Sequence, residues 1–180
     1  MNRLMHHYFR VARTALCAFG LLVLGALPAR ALVERLDDSA SPRPMVTSPP
    51  MVSELGVPLS QYVPGKPAPT QGIVRFGRIE YKLATGRYIG KNARIYYVVP
   101  ANIQGLRSPA GMRVKWRGSG GFADGIARPG DRVLVWVGMV RDAFMTEQLE
   151  LTMHLELREL QLRQGENLAF ESYFEIEVSP

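Results

Sequence analysis

From Gln148 to Arg158 polar and apolar residues alternate without a break. Leu149, Leu151, Met153, Leu155 and Leu157 occupy one set of positions, and Gln148, Glu150, Thr152, His154, Glu156 and Arg158 the other. Leucine favours helix by propensity. On a helix, however, strict alternation would scatter these leucines around the axis and leave no apolar face, so the period of two predicts a strand with one buried side. Phe170–Val178 repeats the pattern, with Phe170, Ser172, Phe174, Ile176 and Val178 set against Glu171, Tyr173, Glu175 and Glu177.

The same period runs through the middle of the chain. Met112, Val114 and Trp116 alternate with Arg113, Lys115 and Arg117. Ile73–Leu83 alternates in two halves, Val74 and Phe76 before Gly77 and Ile79, Tyr81 and Leu83 after it, and the change of phase at Gly77 predicts a bulge. Arg94–Val99 is a short strand ending at Pro100. Arg132–Val140 is almost continuously apolar, as expected of a strand buried on both faces or at the centre of a sandwich. Gly-rich and Pro-Gly turns separate these runs at 118–121 and 128–131, and Gly165-Glu166-Asn167 precedes the last strand. No segment after residue 31 carries a 3.6-residue apolar stripe. Residues 72–180 are thus expected to form an all-β domain, a single antiparallel β-sandwich of immunoglobulin-like type or a small barrel.

Residues 32–71 differ. Eight prolines fall there, a density that blocks helix and removes ladder donors, so the segment is expected to be an extended leader or linker. Within it Met51, Ser53, Leu55, Val57 and Leu59 alternate loosely with Val52, Glu54, Gly56 and Pro58. Two outcomes fit: an edge strand or plain linker of this chain's own domain, or an assembly strand (Met51, Leu55, Val57, Leu59) donated to a neighbouring subunit.

Residues 1–31 carry a three-part secretory pattern: Arg3, Arg10 and Arg13 with no acid, an apolar run over 14–27, and Ala29-Arg30-Ala31 as a small-x-small cleavage site. The apolar run is shorter than the roughly 20 residues that span a bilayer, so a signal peptide is expected rather than an anchor. The protein is then exported, periplasmic or at the cell surface, with no membrane span after cleavage. Cleavage changes the composition. It removes Cys17, His6, His7 and four of the 22 basic residues, leaving 18 basic against 16 acidic. A net charge of +2 gives no reason to expect nucleic acid. Without cysteine, disulfides, thiol nucleophiles and Cys-based metal sites are excluded.

Charge is unevenly placed. Residues 73–146 hold 13 basic and 4 acidic residues, and residues 147–180 hold 2 and 8. Acids of the two late strands would repel if those strands paired. Arg113, Lys115 and Arg117 could relieve them within the chain, or the acidic edge could meet the basic edge of another copy head-to-tail.

Candidate chemistry is sparse. After residue 31 one histidine remains, His154, among Glu150, Thr152 and Glu156 on a strand's polar face, where neighbouring carboxylates would shift its pKa. A serine or metal mechanism needs more than this. Asp124 and Asp131 are the loop acids that a hydrolase would have to use. No catalytic residue, metal or cofactor is therefore assigned. Arg87, Tyr88, Lys91, Arg94 and Tyr97 form a basic-aromatic run suited to an anionic glycan or lipid head group. The expected function is non-enzymatic: protein–protein contact in a pilus, fimbria or other cell-envelope assembly, or alternatively binding of an anionic glycan, lipid or small ligand.

Overall fold

The computed structural model describes residues 31–42, 50–63, 67–161, 168 and 171–179; most of the expected signal peptide lies outside them. Among these residues are nine strands: β1 (Leu32–Arg35), β2 (Val52–Ser53), β3 (Gln71–Ala84), β4 (Asn92–Val98), β5 (Met112–Gly118), β6 (Gly125–Ala127), β7 (Arg132–Met139), β8 (Phe144–Glu156) and β9 (Tyr173–Val178). They form two antiparallel sheets, ordered β1-β9-β4-β7 and β2-β3-β8-β5-β6. Among the described residues helical content is limited to four three-residue 3-10 turns, and no helix there is long and apolar enough to cross a membrane.

Alternation sets the core. On β8, Leu149, Leu151, Met153 and Leu155 are buried; on β5, Met112, Val114 and Trp116; on β9, Phe174, Ile176 and Val178. Rings from both sheets meet between them. Phe174 of β9 touches Tyr81 of β3 with centroids 5.0 Å apart, and Tyr97 of β4 lies 4.6 Å from Trp116 of β5. Phe174 also contacts Tyr97 and Phe122 at 5.3 and 5.6 Å, which makes it the centre of an aromatic cluster.

The expected bulge falls on Gly77. Pairing of β3 with β8 runs from Gln71↔Glu156 to Ala84↔Phe144 and shifts between Arg75 and Gly77, where Gly77 takes φ +72°. Glycine reaches that left-handed region without the Cβ clash that other residues meet there.

Two expectations are corrected. The run Arg132–Val140 is not buried on both faces: β7 ends its sheet, and Leu134, Val137 (60% exposed) and Met139 face outward. A continuous apolar run marks two apolar faces but not what covers them, and here one face is bare. Residues 32–71 are also more than a leader. β1 pairs with β9 and β2 with β3, Leu36 is buried in the core, and Ser41 Oγ accepts the Lys82 amide at 2.8 Å.

Candidate functional site

The outer face of the five-stranded sheet is built by register. Across β3, β8 and β5 the outward positions align in three rows: Ile73–His154–Arg113, Arg75–Thr152–Lys115 and Arg78–Glu150–Arg117, with Ile126 of β6 extending the middle row. Strands are about 4.8 Å apart and alternate positions about 6.8 Å along a strand, so the rows form a tight grid. Five cations stand on it: Arg75, Arg78, Arg113, Lys115 and Arg117. Among the described residues none of the five has a carboxylate within 4.0 Å.

An open depression of about 610 Å³ lies over this grid, lined among others by Arg75, Lys115, Arg117, Thr152 and His154. Two carboxylates border it, Glu150 and Asp124. Asp124 is already engaged, its Oδ1 accepting the Gly118 amide at 2.9 Å. His154 is half-buried, and desolvation, then Lys115, Arg113 and Arg75, hold its pKa below the ordinary value of 6.5. Desolvation and the flanking cations of β3 and β5, rather than neighbouring carboxylates, set this shift.

The four-stranded sheet treats its charges in the opposite way. Arg94 Nη1 lies 3.2 Å from Glu177, and Arg132 reaches Glu175 at 2.7 Å and Glu177 at 3.2 Å. Arg35 pairs with Glu171, and Arg87 with Glu34. The acids of β8 and β9 never oppose one another, because the two strands belong to different sheets. Glu175 and Glu177 of β9 are thus already paired within the chain.

The basic-aromatic run is dispersed rather than gathered. Tyr97 is fully buried among Trp116 and Phe174 and reaches no solvent ligand. Arg87 and Tyr88 both bond the Glu34 carboxylate at the β1 edge. Lys91 is exposed in a turn, and Arg94 lies on the outer face of the four-stranded sheet.

Of the two readings of residues 51–59, the structure has Val52–Ser53 as an edge strand on β3 within the chain, and the rest is a tight hairpin rather than one extended piece. Ser53 N donates to Val57 O at 2.7 Å, Leu59 N to Met51 O at 3.0 Å, and Gly56 turns the chain at φ +78°. Met51 packs against the core, whereas Leu55, Val57 and Leu59 line a groove of about 190 Å³ beside Tyr62 and Pro67. Of the loop acids, Asp131 Oδ2 caps its own turn by accepting the Arg128 amide at 2.7 Å. Among the described residues no group of three or more His, Cys, Asp or Glu is placed to hold a metal ion.

The rows of cations were only half visible in the sequence. Alternation put Arg113, Lys115 and Arg117 on one face, but the arrival of Arg75 and Arg78 beside them depends on β3 and β5 both pairing with β8. Comparison with protein-family models, with curated proteins and with solved structures returned no match.

Proposed function

We propose that this protein is an exported, non-enzymatic binding module that holds an anionic partner on the outer face of its five-stranded sheet. The observation that carries this is the set of five cations with no carboxylate partner among the described residues, on a surface whose opposite sheet pairs its own. Like charges about 7 Å apart repel by roughly 0.6 kcal/mol per pair in water. A bound anion removes that repulsion and adds attraction of its own. Aromatic contacts between the two sheets support an immunoglobulin-like sandwich as the scaffold, and the three-part pattern of residues 1–31 supports export to the periplasm or cell surface.

The test is binding to dextran sulfate, a polyanion, at low and high salt. Binding is expected to weaken steeply as salt rises. Joint replacement Arg75→Gln, Lys115→Gln and Arg117→Gln should reduce it at least tenfold, and Lys91→Gln should leave it unchanged. Equal binding by the triple variant and the parent would overturn the proposal.

A second role, as a subunit of an envelope or surface assembly such as a pilus, is favoured by one feature. Leu134, Val137 and Met139 give the end strand β7 an exposed apolar ridge, the sort of surface that protein contacts cover. Val137→Glu should abolish a self-assembled or partner-bound species in analytical ultracentrifugation of envelope extracts while leaving dextran sulfate binding intact; an unchanged sedimentation profile removes this role.

A further inference from the structure

We propose that the depression centred on Thr152 binds one tetrahedral oxyanion, the phosphate or sulfate group of a larger ligand, and that His154 takes up a proton as it binds. The inference rests on the anion-binding role of this face and names the group that the face recognises.

Position argues for it. Thr152 sits between Arg75 on β3 and Lys115 on β5 in a single row, and both cations line the same depression. Their Cα atoms are about 10 Å apart, two strand spacings, which leaves room for one oxyanion above the Thr152 hydroxyl. His154 is the next outward residue along β8. Donors therefore rise on three sides with a hydroxyl beneath. Such a non-coplanar set suits a tetrahedral group, whereas a carboxylate is planar and prefers a fork of two donors in its own plane.

Charge supplies the proton link. The charged groups facing His154 are Arg75 from β3, Arg113 and Lys115 from β5, and Glu150 and Glu156 from β8 itself, with Asp124 at the rim. Glu156 is engaged by Gln71, whose Nε2 donates to it at 3.2 Å. Desolvation first, and then Lys115, Arg113 and Arg75, lower the pKa of the ring. A dianion placed among them reverses the local field, so a solvent proton adds to the ring and the imidazolium becomes a further donor to the anion. Binding tightens as pH falls towards the range where the free ring titrates.

Sulfate is the discriminating probe, because its charge is constant between pH 5 and 8. NMR titration of the purified protein with sodium sulfate, following the His154 imidazole and the Thr152 amide, is expected to show binding about fivefold tighter at pH 5.5 than at 7.5. His154→Gln should abolish the pH dependence and Thr152→Val should weaken binding at both pH values, with Lys91→Gln as an unaffected reference. Sulfate binding that ignores pH, or a pH dependence that persists in His154→Gln, overturns the inference. If dextran sulfate binds while free sulfate does not, this site falls and the anion-binding face stands; if neither binds, and vesicles containing phosphatidate are also ignored, both fall. Retention by phosphatidate vesicles but not by dextran sulfate assigns the group to a lipid, and the reverse assigns it to a sulfated polymer.

Discussion

Arg132 lies over the ring of Tyr96, its guanidinium carbon 3.3 Å from the ring centroid, while its nitrogens bond Glu175 and Glu177 on the neighbouring strand. One side chain thereby ties β7, β4 and β9 together across their outer face. Cation–π contact and paired carboxylates each contribute modestly at a partly exposed site. Arg132→Ala is expected to lower the urea unfolding free energy by about 1–2 kcal/mol. Arg132→Lys should recover less than half of that loss, since a lysine cannot stack and bond both acids at once. Full recovery by lysine would mean that charge alone matters here.

His154 makes stability depend on pH. Folding lowers its pKa, so below the ordinary value of 6.5 the unfolded chain binds more protons than the folded one. Stability contributed by the neutral ring is complete above that value and is lost as pH falls through it towards the folded pKa. Urea denaturation at pH 7.5, 6.5 and 5.5 should show stability declining with acid, and the decline should be shallower in His154→Gln. An identical slope in the variant would place the acid sensitivity elsewhere.

Glu54 holds the hairpin of residues 51–59 to the start of β3. Its carboxylate accepts the Thr70 amide at 2.9 Å, the Thr70 hydroxyl at 3.1 Å and the Gln71 amide at 3.2 Å. These bonds, the Thr70 amide foremost, bring its pKa from 4.5 down to about 2. The clamp is expected to be intact above pH 4.5 and to open as pH falls towards 2. Carboxyl-carbon NMR should give a titration midpoint for Glu54 well below those of exposed glutamates; an ordinary midpoint would show that the clamp does not form in solution.

Two glycines should fail for different reasons. At Gly77 a Cβ meets nothing within 4 Å, but φ is +72°, so Gly77→Ala costs backbone strain of about 1–2 kcal/mol. At Gly125 a Cβ would fall into the ring of buried Trp116, whose indole N–H donates to Ala123 O at 3.0 Å. Gly125→Ala should therefore cost more, about 2–3 kcal/mol, through overpacking. Urea midpoints rank the pair, and trp fluorescence should change only in Gly125→Ala.

Much of the fold was legible wherever one face of a strand is buried. The leucines of β8 and the Met112-Val114-Trp116 trio are buried as alternation requires, and the change of phase at Gly77 marked the bulge. Legibility failed where neighbours, not local pattern, decide. Nothing in Val133–Val137 distinguishes an end strand from a central one. By contrast, Tyr97 and Arg94, three residues apart on β4, fall on opposite faces by alternation alone, so their separation was legible in the sequence. The loose alternation of Met51–Leu59 concealed a turn that Gly56 and Pro58 could have signalled. The cationic grid needed the pairing order of three strands, information that no single segment carries.

The bulge also decides who stands beside whom. Arg75 and Arg78 both face outward although they are an odd number of positions apart, which a regular strand forbids. The extra residue works like a frameshift: Val74 and Phe76 pack inward before it and Ile79, Tyr81 and Leu83 after it, while one cation from each segment joins the same outer surface. Were the same fourteen residues paired as a regular strand with no bulge, only one half could stay in frame. Either the later core residues would turn to solvent or the earlier ones would, and the two arginines could no longer share a face with an intact core behind them. In this chain the bulge that absorbs one extra residue is what couples a packed interior to a charged exterior.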